Sequence, residues 1–167
     1  MKTRKICMIG DFAVGKTSLV SRFVHQTFGD QYLTTVGVKI DTRVVRLPSG
    51  DEVKLVLWDI AGKSAFARVD TSYLRNASGY LLVADGTRRE TLDSAVELQA
   101  AAAAEVGDVP FSLLVNKADL GDQWTLDRDR LAGLVAQGWS SRETSALNGC
   151  GVEQAFQQLG AQMVHTL

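Results

Sequence analysis

Ile6-Cys7-Met8-Ile9-Gly10-Asp11-Phe12-Ala13-Val14-Gly15-Lys16-Thr17-Ser18 carries an apolar run into a glycine-bounded loop and on into an amphipathic segment, so the loop joins a strand to a helix. Gly10 is followed by four residues and then by Gly15-Lys16-Thr17. Glycines let the backbone curl until several N–H groups face one oxyanion, and a helix opening at Lys16 adds its positive end. The candidate phosphate-binding residues are therefore Asp11, Phe12, Ala13, Val14, Gly15, Lys16, Thr17 and Ser18. Lys16 is placed to reach the β- and γ-phosphates. Thr17 offers a hydroxyl to Mg²⁺, a hard cation that prefers octahedral oxygen ligands and phosphates it can neutralise.

The rest of the chain fits around that loop. At 167 residues it suits one domain, 1–167, with no repeat or linker. The net charge of −1, from 18 basic and 19 acidic residues, gives no sign of a broad electrostatic attraction to nucleic acid or anionic lipid. No apolar run is long enough to span a membrane, and neither end carries a lipidation signal, so the expectation is a cytoplasmic protein with no direct membrane anchor, recruited where needed by partners. Cys7 and Cys150 lack metal-ligand spacing and read as a core thiol and a loop thiol in a reducing compartment. His25 and His165 read as solvated helix residues.

Apolar runs at 5–9, 53–58, 80–84 and 111–115 are nearly continuous, which predicts parallel strands buried on both faces. Helical stripes fall between them: Leu19, Val20, Phe23 and Val24; then Leu131, Leu134 and Val135; then Val152, Ala155, Phe156, Leu159 and Met163. A further helix is expected within 91–106, where an alanine run favours it. Segments 38–47 and 52–58, joined by Pro48-Ser49-Gly50-Asp51, predict a hairpin and hence one antiparallel edge strand. The fold class is α/β in three layers, and ligands of such folds bind at the carboxyl ends of the strands.

Four more elements fall at those ends. Asn116-Lys117-Ala118-Asp119 follows the run 111–115. The carboxylate of Asp119 is acceptor-only and suits the N1–H and N2–H₂ of guanine, whereas adenine has no donor at N1. Asn116 ties this loop to the phosphate loop, and the stem of Lys117 lies across the base. Glu143-Thr144-Ser145-Ala146 brings Ser145 and the N–H of Ala146 toward guanine O6. In Trp58-Asp59-Ile60-Ala61-Gly62, Asp59 is a Mg²⁺ ligand through water and the Gly62 N–H meets a γ-phosphate. Thr35 supplies a second Mg²⁺ ligand.

These elements, in this order and at these separations, make the chain resemble a Ras-superfamily small GTPase over nearly its whole length. It is most similar to the Rab branch, through Trp58-Asp59-Ile60-Ala61-Gly62, Ser72-Tyr73-Leu74-Arg75, and Glu143-Thr144-Ser145-Ala146 followed by Val152-Glu153-Gln154-Ala155-Phe156. The resemblance implies a P-loop NTPase G domain with a six-stranded, mostly parallel sheet and five helices. It implies GTP/GDP exchange with Mg²⁺, and switch segments at about 31–39 and 62–73 that present an effector surface in the GTP state. Exchange factors and activating proteins are implied as partners. By the same likeness Phe28 packs edge-on against guanine, Tyr32 closes over the phosphates, and Thr35 and Gly62 hold the switches when the γ-phosphate is present.

The chain departs from that family at positions that bear on hydrolysis. Lys63 stands where a glutamine usually orients the attacking water; an ammonium neutralises γ-phosphate charge but has no acceptor. Phe12 replaces a glycine or serine and crowds the entry of an arginine finger. Leu147 replaces a base-stacking lysine, and Ile40 replaces an aromatic effector contact. Lys16, Thr35, Gly62 and Lys63 form the candidate catalytic set, and slow GTP hydrolysis is expected. The alternative is an essentially non-hydrolysing, constitutively GTP-bound interaction module. A small-molecule P-loop kinase is disfavoured by the guanine-selective Asn116-Lys117-Ala118-Asp119 and by the lack of a lid-like run of arginines.

Overall fold

The computed structural model describes residues 1–26, 37–62 and 69–165. Six strands form one sheet: β1 (Lys2–Gly10), β2 (Val38–Arg46), β3 (Glu52–Ile60), β4 (Gly79–Asp85), β5 (Phe111–Asn116) and β6 (Ser141–Glu143). The helices are α1 (Lys16–His25), α2 (Glu90–Val106), α3 (Arg128–Ala136) and α4 (Val152–His165). A 3₁₀ helix at Thr71–Leu74 supplies the fifth helical connection, between β3 and β4. A second 3₁₀ stretch, Ala118–Gln123, follows β5.

Strand order is β2-β3-β1-β4-β5-β6, with β2 antiparallel to β3 and every other pair parallel. Thus the hairpin read from the sequence is the antiparallel edge. β1 has β3 on one side and β4 on the other, so the winding reverses beside β1 and opens a crevice at its carboxyl end. The Gly10–Thr17 stretch occupies that crevice.

Alternation along the strands divides the core into two layers. Ile6, Met8, Leu81 and Val83 point to the face covered by α1 and α4, where Phe23 stacks on Phe156 with centroids 4.0 Å apart and planes 9° from parallel. Cys7, Ile9, Tyr80, Leu82 and Ala84 point to the opposite face, covered by α2 and Leu134 of α3. Helix ends follow their sequence: Glu90 and Asp93 place negative charge in the first turn of α2, and Asp127 caps α3 by accepting the Arg130 N–H at 3.1 Å.

Two expectations are amended. β3 is not buried on both faces: Val53, Leu55 and Leu57 are buried, while Lys54 is exposed and Val56 and Trp58 are half-buried. Among the described residues, Trp58 on that face meets Lys5 and Tyr73 of the 3₁₀ helix, the two ring centroids 6.3 Å apart. Lys5 Nζ lies 3.7 Å from the Trp58 ring centroid and donates to the carbonyls of Tyr73 and Arg75, each at 2.7 Å. In α3 the stripe narrows to Leu134, and Val135 stands 47% exposed. Cys7 is buried and Cys150 exposed, as their contexts suggested. His25 and His165 end their helices exposed.

Candidate functional site

β1 delivers the chain to Gly10, and the next five residues curl sharply. Ala13 has φ 72° and Gly15 φ 103°, left-handed values that glycine adopts freely and alanine at a cost of roughly 1–2 kcal/mol. Such a curl persists only when its surroundings determine it. Here the carbonyls are tied off in succession: Gly10 and Asp11 accept from Lys16 Nζ at 3.3 and 3.0 Å, Phe12 from Arg88, Ala13 from Lys117 Nζ at 3.3 Å, and Val14 from Asn116 Nδ2 at 3.0 Å. With the carbonyls turned outward, the N–H groups of Ala13, Val14 and Gly15 have no acceptor among the described residues. They form the concave nest expected for an oxyanion. A Cβ at Gly15 would lie 2.3 Å from Asn116 Nδ2, so only glycine permits this approach.

Lys16 opens α1 and is 6% exposed. Burial pushes its amine down to about 8, against the pull of Asp59 and Asp11. An anion in the nest gives that ammonium a partner in place of two carbonyls. The sign for the free protein follows from linkage: between pH 8 and 10.5 the unfolded chain holds the proton and the folded chain does not, so stability rises with pH across that window. Cys7, pushed up to about 12 by burial, acts in the opposite direction above pH 9. Urea unfolding of ligand-free protein at pH 7.5 and 9 is therefore expected to show a steeper gain in wild type than in Lys16→Met. Parallel profiles would place the lysine in water.

At the foot of the nest the Thr17 hydroxyl donates to Asp59 Oδ2 at 2.6 Å, and Asp59 is fully buried at the end of β3. The threonine oxygen keeps its lone pairs while its proton is held, the arrangement required of a neutral ligand to a hard divalent cation. The pair thus fits Mg²⁺. Gly62 closes the same corner: a Cβ there would fall 2.7 Å from the Asp11 carbonyl and 2.8 Å from Lys16 Nζ, so its backbone lies against the phosphate loop.

The second loop is built around β5. Asn116 is buried, bridges to Val14 and accepts from the Thr144 hydroxyl at 3.2 Å. Lys117, itself left-handed at φ 74°, pairs with the buried carboxylate of Asp85 at 2.7 Å. Asp119 is exposed at the rim, and its Oδ1 accepts the Ser145 hydroxyl at 2.7 Å. Ala146 is buried behind it, Leu147 is 48% exposed, and Arg22 of α1 donates to the carbonyls of both. The three loops therefore meet at one edge of the sheet. Ser18 lies in the first turn of α1 beside them.

Thus Asp11 to Ser18, Asp59, Gly62, Asn116, Lys117, Asp119 and Ser145 to Leu147 lie together at one edge of the sheet. Phe28, Tyr32, Thr35 and Lys63 lie outside the described residues, as do most of segment 31–39 and residues 63–68. Sequence reasoning missed Arg22, Asp85, Arg88 and Ser94, and gave Thr144 no task of its own within Glu143-Thr144-Ser145-Ala146. The signal available for Asp85 and Arg88 was their position at or just past the carboxyl end of a buried run.

The Ras family model matches residues 5–165. Among curated proteins, the Ras-related protein RABA2d of Arabidopsis thaliana is 35% identical over 165 residues, spanning 98% of this chain and 76% of the relative. The Ras-related protein Rab-8B of Homo sapiens is 33% identical over 170 residues, spanning 98% of this chain and 79% of the relative. Rab11C of Lotus japonicus is 34% identical, spanning 96% and 75%.

Proposed function

The chain belongs to the Ras family of small GTPases and is Rab-like within it, and on that premise we propose that it is a Mg²⁺-dependent GTP/GDP switch with slow hydrolysis. The observation that carries this reading is the meeting of two specificities at one sheet edge. A nest of N–H groups with a buried lysine suits a polyphosphate, and a carboxylate oriented by Ser145 suits the guanine edge.

Each part has a task. The nest and Lys16 bind the phosphates, and Lys16 neutralises charge as it shifts onto the outer oxygens. Thr17 and Asp59 would hold Mg²⁺ with Thr35, and the ion, when bound, neutralises phosphate charge. Asn116 and Lys117 brace the phosphate loop. Asp119 reads the base, assisted by Ser145 and the Ala146 N–H, with Phe28 and the apolar face of Leu147 flanking it. Tyr32, Thr35 and Gly62 respond to the γ-phosphate, so segments 31–39 and 62–73 present an effector surface beside Ile40 and Trp58, which face each other across β2 and β3.

The slow step follows from Lys63. Fast hydrolysis draws on a residue that both donates to and accepts from the attacking water, and an ammonium only donates. Lys63→Gln is expected to raise the single-turnover rate about tenfold while GDP affinity stays within a few-fold. A wild type faster than Lys63→Gln would make Lys63 catalytic in its own right. The nucleotide carried by freshly purified protein separates the two modes of action: mostly GDP means a cycling switch. Mostly GTP, favoured by Lys63 together with the 39% exposed Phe12 at the loop tip, means a constitutively loaded interaction module.

A further inference from the structure

The phosphate loop carries an anchor that the base and metal residues do not supply. Arg88, in the segment between β4 and α2, donates from Nη1 to the Phe12 carbonyl at 2.7 Å. From the first turns of α2, Ser94 donates to Asp11 Oδ2 at 2.7 Å, while Asp11 Oδ1 accepts the Phe12 N–H at 2.8 Å. Both backbone groups of Phe12 are thereby fixed from one side. The Phe12–Ala13 peptide is planar and trans, so its N–H points opposite to its carbonyl. A carbonyl pulled toward Arg88 turns the Ala13 N–H the other way, to where no acceptor stands among the described residues.

We propose that Arg88 is a positioning residue for polyphosphate: by holding the Phe12 carbonyl it aims the Ala13 N–H, and the left-handed turn at Ala13, at the outer phosphates of the nucleotide. This rests on the guanine-nucleotide reading above. The Ala13 N–H opens into the same nest as Lys16, which that reading assigns to the β- and γ-phosphates, so the effect belongs to those phosphates. The bond is charge-assisted, and among the described residues it and the Lys117 bond to the Ala13 carbonyl are the side-chain anchors on either side of the strained Ala13. Arg88 is also oriented by Glu90, whose Oε1 accepts from its Nε at 3.3 Å. The side chain lies outside both core layers, so its replacement leaves the packing intact.

The test compares Arg88→Ala, Arg88→Lys and the neighbouring Arg89→Ala with wild type in equilibrium binding of GDP, a non-hydrolysable GTP analogue and GMP. Arg88→Ala is expected to weaken the di- and triphosphate about tenfold while GMP changes less than twofold. Arg88→Lys, which restores one charged donor, recovers most of the loss, and Arg89→Ala matches wild type. Equal weakening of GMP and GDP, or no rescue by lysine, reduces Arg88 to a structural brace and overturns the proposal. Unchanged GDP affinity in Arg88→Ala overturns it too. If wild type binds none of the three, the nucleotide reading itself fails, and that is visible before any variant is measured.

Discussion

Asp119→Asn is expected to weaken GDP and GTP binding by roughly 10²–10⁴-fold while leaving the fold intact, and to turn the site toward xanthine nucleotides. Asp119 Oδ1 already accepts the Ser145 hydroxyl, which fixes the plane of the carboxylate and leaves Oδ2 and a second Oδ1 lone pair facing outward. Guanine presents two donors to that edge, N1–H and the exocyclic N2–H₂. An asparagine oxygen can meet one of them, but its amide nitrogen then faces the other, donor against donor. Hydrogen bonds to a charged partner contribute about 1.5–3 kcal/mol each, and two are weakened or lost. Xanthine has a carbonyl where guanine has the amine, so the same amide nitrogen finds an acceptor. Displacement of fluorescent GDP by unlabelled GDP, xanthosine diphosphate and ATP measures all of this. An Asp119→Asn protein that binds GDP within threefold of wild type, or a wild type from which ATP competes as well as GTP, would falsify the guanine assignment.

The parts of this molecule legible in its sequence are those governed by local periodicity or by a single loop. The runs 80–84 and 111–115 are continuous because β4 and β5 are covered on both faces, and they appear as strands extended by only a residue or so. The Gly10–Thr17 spacing carries its own geometry, since the turn, the nest and the helix start are consecutive. Longer-range determinants were opaque. Nothing in its neighbours marks Arg88 as an anchor of Phe12, because the contact spans 76 residues and depends on β1 lying next to β4. Arg43 is similar: it pairs with Glu153 and sits 4.3 Å from the Phe23 ring centroid, joining β2 to α1 and α4 through contacts no pattern along β2 reveals. The misjudged outer face of β3 has the same origin. A strand's second face is buried or exposed according to what crosses it, and Val56 and Trp58 look apolar in either case.

The distribution of strain explains why so many residues converge on one short loop. Ala13 and Lys117 adopt left-handed conformations without being glycine, and they are linked, Lys117 Nζ donating to the Ala13 carbonyl and to Asp85. Each such residue costs of order 1–3 kcal/mol and survives only because neighbouring bonds over-determine it. The strain buys preorganisation: the N–H groups are aimed before any ligand arrives, so no reorganisation is required when charge enters the nest. Asp85, fully buried and paired with Lys117, therefore supports the candidate phosphate loop through Lys117.

Lys16→Met is expected to reduce GDP affinity by roughly 10²–10⁴-fold at neutral pH and to remove the part of its pH dependence above 8 that the amine contributes. Methionine preserves most of the buried stem and removes only the charge. In the free protein that charge is poorly accommodated: burial holds the amine down to about 8, and its partners are the carbonyls of Gly10 and Asp11. A diphosphate offers it full negative charge in a site shielded from water, where removing one partner of a buried pair costs about 3–5 kcal/mol. Because the free amine titrates near 8 while the phosphate-bound amine stays protonated to higher pH, binding takes up a proton above pH 8. Wild-type affinity then falls more steeply from about pH 8 to 9.5 than that of the variant, which keeps only the fall common to both as guanine N1–H begins to ionise. Calorimetry in buffers of different ionisation enthalpy reads the proton uptake directly. A Lys16→Met protein that binds GDP within tenfold of wild type would show that the ammonium stays on its carbonyls, and that the nest of N–H groups carries the phosphates alone.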